Sequence, residues 1–506
     1  MPEQTTVQQP APAPAPAPKP QPPRRPLHQI ITTSKIWKSI FRHDFKDTPR
    51  TRVMRIFGNV FLHLQPVRIP RSAIRVSYSW GLGGITFFLF LILTVTGVLL
   101  MFYYRPSVTG AYQDMKDLEF VVTLGLLLRN MHRWSAHAMV VCTILHMIRV
   151  FLTGAYKAPR EFNWGVGIVL LVLTLLLSFT GYLLPWDQLA LWAVTVGTNM
   201  ASATPLLGAE GPFSIVTPMN DARFVTLGGT IVGQNTLLRF YVLHCIALPL
   251  VLFILVSVHF WRVRKDGFST PDPKSPAYQD KVDAWPHLIA REFLAALLVL
   301  ILLTGASIFR NAPLEEAANP NRTPNPSKAP WYFAGLQELL VYFDPWIAGV
   351  VLPGVIVVGL LAIPYIDPNP KGVGYYSIKD RPLANSIFLF GNFLWFLLIA
   401  IGMYCRGPNW EWYWPWEPWS SHRITMARTW NIPNPIGLAL IGGYFALGMT
   451  LPALLKRDFL KQLGLIKYSI VMGLLLMMGG VVGKILLRLL LNVKYIVSFP
   501  QFNLNI

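Results

Sequence analysis

The chain has 506 residues, of which 53% are hydrophobic and 13% charged, and it carries a formal net charge of +20. So large an apolar share exceeds what a soluble core can bury and assigns the chain to the membrane. The positive charge does not point to nucleic acid, because lysine and arginine collect in the N-terminal tail and in alternate loops between apolar runs.

Residues 1–27 are rich in Pro, Ala and Gln and read as an extended, disordered tail. They lack the basic start and apolar stretch of a signal peptide, so the first span is expected to direct insertion. From Ile30 to Phe45, Ile, Trp and Phe alternate with Lys and Arg at helical spacing, as in an interfacial anchor helix lying against membrane lipid. Eight runs then reach spanning length: Trp80–Tyr104, Val121–Val150, Gly165–Trp186, Thr236–Arg262, Phe293–Phe309, Trp346–Ile366, Leu383–Cys405 and Pro433–Leu455. A ninth, Tyr468–Leu491, carries Lys484 and Arg488 in its last turns, where long cationic side chains snorkel. The class is therefore all-α, a polytopic membrane protein of eight or nine transmembrane helices.

Basic residues in alternate loops (Lys157 and Arg160; Arg262, Arg264 and Lys265; Lys371, Lys379 and Arg381; Lys456, Arg457 and Lys461) set the N-terminus on the cytoplasmic side of a bacterial-type inner membrane. Four divisions follow: tail and anchor helix at 1–47, a first bundle at 48–270, a second membrane unit at 271–406, and an extension at 407–506.

Two of the spans carry paired histidines. His132 and His146 are fourteen positions apart, and His244 and His259 fifteen. At about 1.5 Å rise and 100° per residue, each pair spans about 21–23 Å and returns to within about 40–60° of one face. Histidine inside a span is costly and faces the bundle interior. Helix-to-helix hydrogen bonding is the plainer reading of any single one. Four in two matched pairs instead suit axial ligation of two porphyrin irons, each needing two opposed neutral imidazoles. The reading is a four-helix bundle holding two non-covalent b-type haems, with metal ligands His132 with His244 and His146 with His259.

Other residues agree with that spacing. Gly83 and Gly97 in the first span, and Gly167 and Gly181 in the third, are again fourteen apart, so at each haem depth a helix without a side chain can pass a porphyrin edge. Arg129, Arg133, Arg149 and Arg239 flank the histidines and suit haem propionates, although interfacial anchoring also accounts for arginine there. His137 lies about 140° around the helix from His132 and reads as structural. Cys142, Cys245 and Cys405 form no Cys-x-x-Cys-His motif, so covalent attachment within the chain is not expected. Long, weakly charged segments after Asp187 and after Arg310 fall on the non-cytoplasmic side, where they are placed to cover a site. The run Trp410–Trp419 reads as an interfacial aromatic belt.

These residues carry a resemblance. The runs RNMHRWSAHAMVVCTILHMIRVFLTGAYKAPREFNW, FTGYLLPWDQLALWAV and TLLRFYVLHCIALPLVLFILVSVHF resemble cytochrome b of quinol:cytochrome c and quinol:plastocyanin oxidoreductases. The resemblance covers about residues 50–405 and is strongest to the chloroplast-type protein, with its fifteen-residue histidine step. The part from AWPHL through PWYF to RPLANSIFLF resembles that complex's separate subunit IV, here fused.

What the resemblance implies is a subunit that oxidises quinol at a non-cytoplasmic pocket. One electron passes to a Rieske iron-sulfur protein and on to a c-type cytochrome. The other crosses two haems to a quinone-reduction site, with proton translocation, in a complex that is a homodimer. It assigns His132 and His244 to the low-potential haem, His146 and His259 to the high-potential haem, and Trp331 and Tyr332 to the pocket. Three departures stand out. The family's Pro-Glu-Trp-Tyr reads Ala329-Pro330-Trp331-Tyr332, so its glutamate is missing; Glu338, or else Asp344, is the expected replacement as proton acceptor. Gly81 replaces the cysteine that holds an extra haem in the chloroplast type, so no third haem is expected. The chain past about Arg406 has no counterpart and is expected to contact another subunit. Asp283, His287 and Arg291, where the fifth span starts, are the candidates for quinone reduction. Two further hypotheses fit less well. A di-haem anchor of a quinone-linked dehydrogenase would have four or five spans and no Pro-Trp-Tyr segment, and a transporter would show inverted repeats.

Overall fold

The computed structural model describes residues 26–40, 66, 68–270, 276–419 and 428–506. Two units are distinguished, Met1–Phe45 and Lys46–Ile506. In the first, the expected single anchor helix is two short ones, α1 (Leu27–Thr33) and α2 (Lys35–Ile40), separated by Ser34 in an extended conformation. The tail before Pro26 and the anchor beyond Ile40 lie outside the described residues.

In the second unit, nine helices among the described residues are long and apolar enough to cross a membrane. In chain order the elements are β1 (Arg68–Pro70), α3 (Leu82–Met101), α4 (Ala111–Phe120), α5 (Gly125–Leu152), α6 (Glu161–Leu183), α7 (Gln188–Ser202), α8 (Ala222–Leu227) and α9 (Gln234–Asp266). There follow β2 (Lys281–Asp283), α10 (Ala284–Phe309), α11 (Trp331–Leu339), α12 (Ile347–Ile366), α13 (Pro382–Tyr404), α14 (Asn434–Leu455) and α15 (Arg457–Leu491). Sequence reading missed β1 and β2, an antiparallel pair that ties the chain before the first span to the start of the fifth. A second small pair, β3 (Ser498–Phe499) and β4 (Leu504–Asn505), closes the C-terminus.

The core lies midway between the two histidine depths. Leu89 and Phe90 of α3, Met139 of α5, Leu173 of α6, Leu252 of α9 and Leu303 of α10 form one buried cluster. Outward-facing residues such as Val95, Leu302 and Phe309 are exposed, as lipid-facing positions are. Because lipid is as apolar as leucine, this cluster is held by close packing more than by exclusion of water.

Two spans widen by one residue, over Leu243–Ala247 in α9 and Ile347–Val351 in α12, where the helical hydrogen bonds run i to i+5. Pro249 and Pro353 follow these turns, and proline supplies no N–H for the ordinary i to i+4 bond, so the backbone makes a wide turn. In α9 the extra residue falls at His244. It absorbs the difference between fifteen and fourteen, so both histidine helices present their imidazoles in step.

The two loops expected after Asp187 and Arg310 are partly helical. Asp187 caps α7 by accepting from Ala190 N at 2.8 Å, and Asp221 caps α8 by accepting from Phe224 N. These helices are short and lack a long apolar run, so periodicity alone did not reveal them. The expectation that Lys484 snorkels is also corrected. Its side chain is buried, its ammonium donates to the Lys494 carbonyl and it lies over the Tyr495 ring, because the C-terminal segment folds back over the end of α15.

Candidate functional site

The four histidines meet in two pairs. Ring centroids of His132 and His244 are 6.2 Å apart with planes at 76°, and those of His146 and His259 are 6.4 Å apart, also at 76°. A metal-bound imidazole nitrogen sits about 2 Å from its ion, so two rings opposed across one ion have centroids about 6 Å apart. Two neutral rings hydrogen-bonded to each other would need no such common gap at both depths.

Hydrogen bonds fix two of the rings. His132 Nδ1 lies 2.9 Å from the Thr96 hydroxyl, and His244 Nδ1 lies 3.0 Å from the Leu177 carbonyl, which leaves Nε2 of each for a metal. In the lower pair, His146 with His259, the His146 Nδ1 is buried without a hydrogen-bond partner among the described residues. A cavity of about 370 Å³ opens at that lower pair and is lined by both rings, Arg149 and Arg160. Among the described residues no cluster of three or more His, Cys, Asp or Glu forms. Donors arrive in imidazole pairs, which suits an ion whose remaining positions are filled by a macrocycle.

Each of the four glycines faces one of these rings. A Cβ added at Gly83 would lie 3.4 Å from His146 Cε1, at Gly97 3.2 Å from His132 Cε1, at Gly167 3.6 Å from His259 Cε1, and at Gly181 2.4 Å from His244 Cε1. The spacing expected to admit a porphyrin edge thus makes room for the histidine rings themselves. A graded test follows. If each ring pair holds a haem, as the sequence leads one to expect, Gly181→Ala drives a methyl into His244 and is expected to lower the haem content, whereas Gly167→Ala makes an ordinary contact and leaves it unchanged. The haem-to-protein ratio of the two purified variants decides it, and equal ratios would contradict it.

The arginines divide. Arg129 donates to Glu119 at 2.9 Å and to the Ala312 and Pro313 carbonyls, so it braces the loop after α10. Arg239 donates to the Val225 and Phe224 carbonyls and braces α8. In both, the guanidinium donors are engaged by these groups and not by an imidazole pair. Arg133, beside His132, lies over the Tyr182 ring with its Nε buried and, among the described residues, unpartnered. Arg149 donates to the Tyr78 carbonyl and lines the cavity.

On the side of the upper pair, α11 brings Trp331 and Tyr332 against α5 and α6. Trp331 Nε1 donates to His137 Nδ1 at 2.8 Å, and Phe333 meets Phe179 edge to face. Glu338, the expected proton acceptor, lies elsewhere in this network. It is fully buried, accepts from Arg406 Nη2 at 2.6 Å and Nε at 3.0 Å, and also accepts from the Tyr342 hydroxyl and Trp410 Nε1. Both its oxygens are saturated, which opposes a proton-accepting role. Asp344 accepts from the Tyr495 hydroxyl, and burial holds its carboxyl above the usual range. The aromatic run is only partly a belt: Tyr413 is buried and Trp410 reaches Glu338, while Trp414 and Trp416 stack in the open.

Near the lower pair, Arg291 donates to the Ile74 carbonyl and lines the cavity, and His287 is exposed. Asp283 pairs through its backbone with Arg68. Sequence reading passed over Glu292, which lines the same cavity as its one acidic residue among those described and sits against Gly84, where a Cβ would come within 3.3 Å of its Cγ. One turn of a helix start reads as solvated, which hid this acid facing inward.

Residues 69–267 match a family model described as Cytochrome b/b6/petB. Cytochrome b6 of Acaryochloris marina (strain MBIC 11017) is 43% identical over 196 residues, covering 39% of this chain and 86% of that protein. Cytochrome b6 of Gracilaria tenuistipitata var. liui is 44% identical over the same shares. Among solved structures, a chain of a "Hyperthermophilic respiratory Complex III" matches with a TM-score of 0.59 and 25% identity, covering 70% of this chain and 89% of that one.

Proposed function

This chain belongs to the cytochrome b/b6 family, and from that premise we propose that it is the di-haem subunit of a quinol-oxidising complex, with His132 and His244 holding one haem and His146 and His259 the other. It is an integral membrane protein that binds haem b within an oxidoreductase complex. The observation that carries the two-haem reading is the matched pair of centroid separations, 6.2 and 6.4 Å, each about the distance that one six-coordinate iron requires.

When bound, the haems supply an electron path across the bilayer. The residues around them do the rest. Thr96 and the Leu177 carbonyl orient the His132 and His244 rings, and the glycines opposite keep those rings from being pushed aside. Arg133 and Arg149, one near each pair, are the residues proposed to meet propionates. Trp331 and Tyr332 form the wall of the quinol-oxidation pocket, on the side taken to be non-cytoplasmic from the distribution of basic loops. At the opposite end Glu292, with Arg291 beside it, is the group proposed to hold and deliver a proton to quinone.

The acceptor is proposed to be a c-type cytochrome reached through a Rieske iron-sulfur protein, in a homodimeric complex that translocates protons. Residues 48–270 are read as the haem unit, 271–406 as the unit resembling subunit IV and 407–506 as an extension packed on it through α12 and α15. A dehydrogenase anchor is disfavoured by the nine spans and by α11.

Bifurcation has a distinctive signature. With quinone reduction blocked at the lower site, adding an oxidant for the Rieske partner to the quinol-supplied complex is expected to reduce the b haems rather than oxidise them. Oxidation of the b haems under those conditions would contradict the proposal.

A further inference from the structure

We propose that His137 is the positioning residue for the quinol-oxidation pocket, holding Trp331, and through it Tyr332, by a hydrogen bond that only a neutral imidazole can accept. The inference rests on the reading of α11 as the pocket wall. His137 was expected to be merely structural, and the geometry gives it a more specific task. Trp331 Nε1 donates to its Nδ1 at 2.8 Å, the two rings lie 23° from parallel with centroids 6.4 Å apart, and the Tyr332 ring is 5.9 Å from the imidazole.

The rest of α11 is anchored at its far end. Glu338 holds Arg406, and Gln337 takes the Ala329 N–H and donates to the Ser327 carbonyl. The first turn, which carries Trp331 and Tyr332, follows Pro330, whose nitrogen can donate nothing. The bond to His137 fastens that turn to α5, five residues along the same helix from His132.

Nδ1 accepts only when it carries no proton, so the neutral ring bears its hydrogen on Nε2. In a family whose motif places glutamate just before the tryptophan, this chain has Pro330. The imidazole supplies a fixed point in a first turn that has no carboxylate of its own.

The test uses the purified complex, compared at equal haem b content. His137→Leu removes the acceptor, and misplacing a pocket wall by about 1 Å costs about a hundredfold, so kcat/KM for a short-chain quinol is expected to fall by about ten- to a hundredfold. His137→Asn keeps an oxygen acceptor near the place of Nδ1 and is expected to stay within about threefold of the parent. Trp331→Phe is expected to match His137→Leu, and the double variant to be no worse than either single one. Ultraviolet resonance Raman supplies the second readout: the indole N–H hydrogen-bond band that is absent from Trp331→Phe should shift in His137→Leu and stay in place in His137→Asn. An unmoved band in His137→Leu, or an Asn variant as impaired as the Leu variant, overturns the positioning role. A shifted band with unchanged quinol kinetics overturns it too, and in that case the fault lies with α11 as the pocket wall. If the Leu chain does not assemble, Trp331→Phe and His137→Asn still decide the matter by the same two readouts.

Discussion

Replacing His244 with leucine is expected to remove one haem and leave the other. The His132–His244 and His146–His259 pairs are separated by a full apolar layer containing Met139 and Leu252, about 21 Å along the helices, so losing one imidazole should not disturb the distant pair. Removing an outer partner of a metal-bound histidine already costs about 10–100-fold in affinity or activity. Removing the imidazole proposed as a ligand leaves His132 alone across the gap, and quinol-driven electron transfer across the membrane is expected to fall by more than that range. The variant should therefore show about half the b-haem absorbance per chain, with electron flow to the remaining haem interrupted. A His244→Leu chain with its full haem complement would refute the assignment of that ring.

The second large effect concerns Glu338 and Arg406. Both are buried, and each is held by the other together with Tyr342 and Trp410. Deleting one member of a buried ion pair strands the other charge and costs about 3–5 kcal/mol, while replacing both with apolar residues of similar size is often close to neutral. Glu338→Leu alone is expected to lower the thermal midpoint of the detergent-solubilised chain by several degrees, and Glu338→Leu with Arg406→Met to restore most of it. The same double variant separates structure from chemistry. If it is stable and still oxidises quinol, the carboxylate is a brace between α11 and the segment after α13. If it is stable but inactive, Glu338 takes part in proton transfer after all.

The two cases illustrate which parts of the molecule a sequence can disclose. Spans announce themselves because an unbroken apolar run must pair its backbone internally, and the four histidines stand out because an imidazole is costly in that setting. The glycine spacing could be read in the same way, although the surface each glycine faces could not. What escaped depends on partners distant in the chain. Arg406 is 68 residues from Glu338, and no periodicity links them. Lys484 reads as an end-of-span lysine until the Lys494 carbonyl and Tyr495 cover it. The wide turn at His244 follows from Pro249, and its effect on histidine register emerges only with the backbone in place. Short helices such as α7 and α11 lie within segments too mixed in polarity to show a long period.

Everything proposed for this chain depends on iron filling the space between each pair of rings. A reduced-minus-oxidised spectrum, together with a pyridine haemochrome count on the purified protein, tests that most directly. Two non-covalent b haems per chain, both extractable with acid acetone, are the expected result. One haem or none would contradict the account.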